Sequence, residues 1–369
     1  MNPPVPLRLP AITVGVFLVM LLSCCQQNSP SRSGGQAAES VAMVTKLVSP
    51  GSGTIIQCGD SVKISLAPLA TSHAIDSVQL FSGKNHITTV FDNPERLFWN
   101  SRTSRVGQTV LKVRVFYDDS LSETHTAGIV VLSDLDPNDI SYRVIKQYPH
   151  DADAYTQGLF YDNGNLYEST GIQGKSSLRI VNIASGKPIK LVSLSGEFFG
   201  EGIALMKNQV YQVTYKSQVG FVYDKNSLEQ IRSFDYQIKE GWGLTTDNKN
   251  LIMSDGSAQL YFIEPEYFTQ VDKIEVFNNK GMIDSLNELE YFNGHILANV
   301  YGQSFIVVID PATGKVTGKI NLHELIPEGS EGDYGKVLNG IAYNPQTGHL
   351  YVTGKHWPVL YEIALSPSL

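Results

Sequence analysis

The chain of 369 residues carries only 3 cysteines, and two of them, Cys24 and Cys25, are neighbours near the N-terminus. Cys58 is left without an internal partner, which excludes a disulfide framework and leaves stability to packed cores. Charge is also scarce, at 17% of residues with a net of -8, and no Lys/Arg-rich run stands against that balance. Without a basic surface for phosphate backbones, nucleic acid is excluded as a partner. The 8 histidines are widely scattered, which argues against a histidine-built zinc centre. Gly-x-Ser-x-Gly, Cys-x-x-Cys, His-x-x-x-His and phosphate-loop motifs are missing as well. What is present is the composition of a folded protein, 42% hydrophobic and 10% aromatic, in a chain long enough for two domains.

Long apolar runs are limited to one. Ala11 to Leu22 follows Arg8 and leads into Leu21-Leu22-Ser23-Cys24, the layout of an export signal. Its ending resembles a bacterial lipobox, which implies cleavage before Cys24 and lipid attachment to that thiol. Residues 1–24 are thus expected to be a lipoprotein signal peptide. The mature protein is expected to be exported and anchored to a membrane of the bacterial cell envelope, in the periplasm or on the outer membrane. Gln26 to Glu39 is rich in Ser, Gly and Gln and cannot bury enough apolar surface to offset ordering, so residues 25–42 read as a flexible tether.

Residues 43–134 show short strand patterns with turn residues such as Ser82-Gly83 and Asp118-Asp119 between them. The clearest is Val110–Tyr117, where Leu111, Val113, Val115 and Tyr117 alternate with Lys112, Arg114 and Phe116. This pattern predicts a small immunoglobulin-like β-sandwich, a spacer or docking module without chemistry of its own.

From residue 141 to 366 the chain repeats itself. Five units open on a polar or aromatic residue, then Gly or once Glu, then an aliphatic: Gln157-Gly158-Leu159, Glu201-Gly202-Ile203, Trp242-Gly243-Leu244, Asn287-Glu288-Leu289 and Asn339-Gly340-Ile341. The starts are 44, 41, 45 and 52 residues apart, and each leads through a turn signal into further strands. Four-stranded repeats of this length are the mark of a β-propeller, here of five blades, making the whole chain all-β. The last unit ends after its third strand, so Tyr142–Tyr148 is expected to supply the fourth and close the ring.

In such a ring the first strand of each blade lines a central channel. Gln157, Glu201, Trp242, Asn287 and Asn339 are then expected at its mouth, joined from the ends of second strands by Lys216, Asp255, Tyr301 and Lys355. Channel positions are polar in any wet channel, but a purely architectural repeat reuses one residue type, and these five differ. His150-Asp151 has the composition of a catalytic dyad. Neighbours on an extended segment point oppositely, however, so a loop-stabilising role is expected instead.

The ordered motifs His150-Asp151-Ala152-Asp153-Ala154-Tyr155-Thr156-Gln157-Gly158-Leu159, Tyr167-Glu168-Ser169-Thr170-Gly171, Gly200-Glu201-Gly202, Gly241-Trp242-Gly243-Leu244, Leu286-Asn287-Glu288-Leu289-Glu290, Leu338-Asn339-Gly340-Ile341-Ala342 and Val352-Thr353-Gly354-Lys355-His356-Trp357-Pro358 together resemble the plant and bacterial glutaminyl-peptide cyclotransferases. The resemblance implies a five-bladed propeller that converts the N-terminal glutamine of peptides or proteins to pyroglutamate, releasing ammonia without a catalytic metal or other cofactor. It also implies that Glu201 is the acid/base and that Tyr155, Gln157, Phe199, Trp242, Asn287, Tyr301 and Lys355 line the glutamine pocket. Tyr301 stands where many relatives carry Trp, and Tyr155 where they commonly carry Phe. Asn339 is left out of that set. A monomer is expected.

Cyclisation needs the α-amine, with a free pKa of ~7.7–8.0, to lose its proton and attack the side-chain amide carbon. Glu201 can take that proton and return it to the leaving nitrogen, while Lys355, Asn287, Gln157 or the Trp242 indole N–H donates to the oxyanion. Two other readings stay open. One is a calcium-dependent, lactonase-like propeller hydrolase using Glu201, Asn287 and Asn339 as oxygen ligands. The other is a non-enzymatic peptide-binding propeller.

Overall fold

The computed structural model describes residues 43–69, 73–91, 96–119 and 121–366. The export signal, Cys24 and the tether lie outside the described residues. Within them the chain is all-β, its strands gathered into small, mainly antiparallel sheets.

The N-terminal strands form a five-stranded sheet in the order Thr54–Gln57, Leu121–Leu132, Gly107–Tyr117, Ile75–Ser82, Asn85–Val90. Two strand pairs accompany it, Thr45–Ser49 with Ser65–Pro68 and Ser61–Lys63 with Phe98–Asn100. The alternation in Gly107–Tyr117 is realised directly: Leu111, Val113, Val115 and Tyr117 are buried while Lys112 and Arg114 are exposed. Leu111, Val113 and Val115 make one core with Ile64, Leu80, Trp99, Ile129 and Val131, the outcome expected of a period-two strand with one wet face.

This unit is seated on the strands that follow. The Arg105 guanidinium reaches both carboxylate oxygens of Asp272, at 2.8 and 2.6 Å, and donates to the carbonyl of Ala312. Lys315 meets Asp134 at 2.6 Å, and the Val106 N–H donates to the Thr313 carbonyl. Each exposed ion pair contributes little by itself. Five polar contacts spread along one seam nevertheless define an orientation.

Five further sheets have inner strands Thr156–Asp162, Gly200–Met206, Leu244–Thr246, Leu286–Phe292 and Leu338–Asn344. In the first three the strands follow chain order outward, and the fourth does so until Asn138–Asp139 adds a parallel outermost strand beside Val316–Asn321. In the fifth the outermost strand is Ser141–Pro149, paired antiparallel with Val359–Ser366. The first and last segments of the region are thereby joined, with Tyr142 opposite Leu365 and Tyr148 opposite Leu360. Each inner strand lies against the next and the fifth against the first, so the inner strands close a ring.

The glycines of the repeat are needed where these inner strands meet. A Cβ on Gly243 would sit 2.0 Å from the Asn287 carbonyl oxygen, and one on Gly202 2.3 Å from the Leu244 nitrogen. The one unit with Glu in that place uses it differently. The buried Glu288 carboxyl accepts the Leu159 N–H at 3.1 Å through one oxygen and the Ile341 N–H at 2.8 Å through the other, tying the fourth sheet to the first and fifth at once.

Burial pushes the Glu288 carboxyl well above its ordinary range, and Glu290, half-buried behind it, is pushed up to about 8. Unfolding lets both release protons near the usual glutamate value. Between that value and about 8 the unfolded chain holds fewer protons than the folded one, so stability falls as pH rises. Melting temperature is expected to decline from about pH 5 to about pH 8, and Glu290→Gln to flatten that slope. An unchanged slope in the variant would contradict the assignment.

Candidate active site

One structural device aims the repeat's polar residues at a common point. The inner and second strands fall out of register between Thr156 and Gly158, Gly200 and Ile203, Leu286 and Leu289, and Leu338 and Ile341. Gln157, Glu201, Asn287 and Asn339 occupy those irregularities. A bulge leaves its extra residue outside the ladder and re-aims the side chain, so a repeat of sequence becomes a convergence of functional groups.

A cavity of about 300 Å³ opens at that end of the ring, lined by Tyr155, Gln157, Phe199, Glu201, Tyr215, Trp242, Asn287, Tyr301 and Lys355. Every pocket residue inferred from the sequence is in this one lining. Tyr215 is the addition. It immediately follows the strand Gln209–Thr214, as Tyr301 follows His295–Val300 and Lys355 follows His349–Gly354, so aligning the strand ends identifies it.

Lys216 and Asp255 do not join the cavity. Lys216 is one residue too late in the register and is exposed, 3.3 Å from Glu240. Asp255 has the right position but is drawn into its own sheet, where it accepts hydrogen bonds from Ser257 and from the Tyr261 hydroxyl at 2.8 Å.

At the centre is Glu201, 4% exposed. Its Oε1 accepts from Gln157 Nε2 at 3.0 Å, and Gln157 Oε1 in turn accepts from Asn339 Nδ2 at 3.2 Å. Asn339 also donates to the Thr156 carbonyl at 2.9 Å. Asn339 therefore orients Gln157 from behind rather than lining the cavity. Asn287 is 1% exposed and lines the cavity, and its Oδ1 has no hydrogen-bond partner among the described residues. An orphaned buried oxygen of this kind is costly unless a ligand or water completes it.

Lys355 faces Glu201 across the cavity. Its ammonium lies 4.7 Å from the ring centre of Tyr155 and 5.2 Å from that of Tyr301, within cation–π range of both. Burial pushes the Glu201 carboxyl well above its ordinary range against the pull of Lys355. Burial also lowers the Lys355 ammonium to about 8 against the opposing pull of Glu201. In each residue removal from water outweighs the partner's charge. The result is a carboxyl that holds its proton more tightly, and an ammonium that holds its proton less tightly, than free side chains do.

Aromatic rings form the walls. Trp242 meets Tyr301 edge-on at 5.8 Å, and Phe199 meets Tyr155 edge-on at 6.1 Å. Glycines make room for them: a Cβ on Gly256, at φ +78°, would lie 2.5 Å from the Trp242 ring, and one on Gly171 2.4 Å from Phe199. The Trp242 indole N–H donates to Glu240 at 3.1 Å. Of the four candidate oxyanion donors, the indole is thus one with a partner of its own.

His150 and Asp151 are absent from the lining. Both ring nitrogens of His150 face acceptors, the Trp357 carbonyl at 2.7 Å and Glu168 at 2.9 Å, while Asp151 pairs with Arg179 at 2.8 Å. With two acceptors the imidazole must donate twice, which agrees with its raised pKa beside Glu168 despite burial. The cluster fastens the last sheet to the first.

The sequence profile of the glutamine cyclotransferase family matches residues 120–365. The chain belongs to that family. Within it, a glutaminyl-peptide cyclotransferase of Arabidopsis thaliana is 41% identical over 237 residues, covering 62% of this chain and 73% of the relative. The crystal structure of Myxococcus xanthus glutaminyl cyclase superposes with a TM-score of 0.58 at 36% identity, over 62% of this chain and 98% of that one. Both coverages leave room for the N-terminal sheets outside the shared region.

Proposed function

We infer that this family member is a glutaminyl-peptide cyclotransferase, closing N-terminal glutamine of peptides and proteins into pyroglutamate with release of ammonia. The observation that carries the reading is the buried Glu201 within a single cavity shared with Lys355, Asn287 and aromatic walls. In the proposed mechanism the substrate ammonium enters beside Glu201, and its charge favours the carboxylate despite burial. Glu201 takes a proton from the α-amine as the nitrogen attacks the side-chain amide carbon. The C–N bond of the new five-membered ring forms, and the carbonyl electrons move onto oxygen.

Glu201 returns that proton to the departing nitrogen, the oxyanion collapses with cleavage of the old C–N bond to release ammonia, and Glu201 then takes the second proton from the ring nitrogen and passes it to the ammonia or to solvent, which restores the carboxylate. The Lys355 ammonium and the Asn287 amide are the proposed oxyanion donors. Gln157, held by Asn339, keeps the Glu201 carboxyl turned towards the amine. Phe199, Tyr155, Trp242 and Tyr301 fold the glutamine side chain back on its own amine, the orientation on which ring closure depends.

The architecture proposed for this chemistry is a five-bladed propeller over residues 141–366, one blade per inner strand of the ring. Residues 43–134 are proposed to be an immunoglobulin-like sandwich, a reading supported by the parallel pairing of Thr54–Gln57 with Leu121–Leu132, which no hairpin can make. The lipoprotein signal within residues 1–24 is proposed to be cleaved before Cys24, with Cys24 lipidated and residues 25–42 tethering a monomer to the cell envelope.

Purified protein is expected to release ammonia from glutamine-terminated peptides at an undiminished rate after complete chelation of divalent cations. Activity lost on chelation would favour the calcium-dependent hydrolase instead, and activity never present would favour a peptide-binding module. The ammonium of Lys355 in the same cavity weighs against an axial cation.

A further inference from the structure

The connections that return the chain to the cavity end are unequal. Residues 194–199, 236–243 and 276–285 join the first four sheets, whereas residues 322–337 join the fourth to the fifth. The longer segment folds against the cavity rim. The Tyr301 hydroxyl donates to the Tyr334 carbonyl at 3.2 Å, and the two rings lie 6.2 Å apart. Behind them the Lys355 N–H donates to the Val337 carbonyl at 2.9 Å and the Trp357 indole to the Lys336 carbonyl at 2.7 Å.

Under this segment lies a second cavity of about 260 Å³, walled among others by Gly302, His323, Glu331, Asp333, Tyr334 and Lys336. Tyr301 lines the first cavity and Gly302 the second, so adjacent residues form the partition between them. A peptide whose glutamine is held beside Glu201 must carry the rest of its chain out over the rim. Tyr334, 67% exposed, stands at that partition.

We propose that the second cavity seats the residue following the N-terminal glutamine, and that Glu331 and Asp333 select a lysine or arginine there. This rests on the cyclotransferase reading. Both carboxylates are exposed. Among the described residues neither enters an ion pair. Asp333 accepts the Gly335 N–H at 2.8 Å, which holds its carboxylate on the rim. Its field reaches the Tyr155 phenol in the first cavity, whose proton it helps retain. Lys336 and His323 share the wall, so the selecting potential comes from two acids against one fixed cation and one titratable ring. An incoming cation gains from those acids and the exposed aromatic, whereas an incoming carboxylate meets like charge.

The test compares kcat/KM for ammonia release from glutamine amide and from amidated Gln-Lys-Ala, Gln-Ala-Ala and Gln-Glu-Ala at low salt. Gln-Lys-Ala is expected to exceed Gln-Glu-Ala by about tenfold, a difference that salt erodes. In the Glu331→Gln/Asp333→Asn double variant that ratio should fall close to one while glutamine amide turns over as in the parent. Tyr334→Ala should weaken all three tripeptides and spare glutamine amide. A double variant that keeps the parental ratio overturns the proposal, as does a parent protein indifferent to the second residue. Failure of the parent to release ammonia from glutamine amide would instead overturn the cyclotransferase reading, so the two failures are distinguishable.

Discussion

Glu201→Gln is expected to lower kcat for ammonia release by about 10²–10⁴ or more, the range a well-placed acid/base supplies, while leaving the fold intact. The amide keeps an oxygen that can accept from Gln157 Nε2, so the geometry around position 201 survives and the proton relay does not. The variant also replaces a carboxyl whose ionisation burial opposes with a group that never ionises. Its melting temperature above neutral pH should therefore equal or exceed that of the parent. Steady-state ammonia release and a thermal melt at about pH 8 check the two halves together. Near-parental turnover would remove Glu201 from the chemistry. Lost turnover with a lowered melting temperature would make it a structural carboxyl instead.

Glu288→Ala is expected to be the most damaging single change to stability, at about 2–6 kcal/mol, since each buried donor left without an acceptor costs about 1–3 kcal/mol and two are orphaned. Leu159 N–H and Ile341 N–H belong to the first and fifth sheets, so the loss falls on three sheets at once. Glu288→Gln should cost about half as much, because one carboxyl oxygen is replaced by a donor facing a donor. Denaturant midpoints for the two variants measure this order. An alanine variant as stable as the parent would mean that water satisfies both N–H groups and that the carboxyl is not a tie.

The fold was legible because its signals are repeated. Five openings of one pattern at nearly equal spacing imply five equivalent strands, and the incomplete last unit called for a strand from upstream, which Ser141–Pro149 supplies by pairing with Val359–Ser366. The same spacing indicated where Gln157, Glu201 and Asn287 sit relative to one another. Lys216 was expected at the mouth from the end of its second strand, but that strand ends at Thr214, which brings Tyr215 there instead. The engagement of the Trp242 indole with Glu240 was not legible. It depends on where two residues of one loop come to rest.

What the sequence determined by itself is the repeat, and with it the all-β architecture, the identity of the residues at each strand start and the family. Those properties are local or periodic, so they survive in a string of letters. Only the tertiary structure decided which groups touch and which are withdrawn from water. Asn339 became the support of Gln157 because the fifth sheet closes beside the first. The Glu201 carboxyl is raised and the Lys355 ammonium lowered because both are withdrawn from water in one cavity. Burial and convergence belong to the assembled molecule, and the proposed chemistry of this site is made of both.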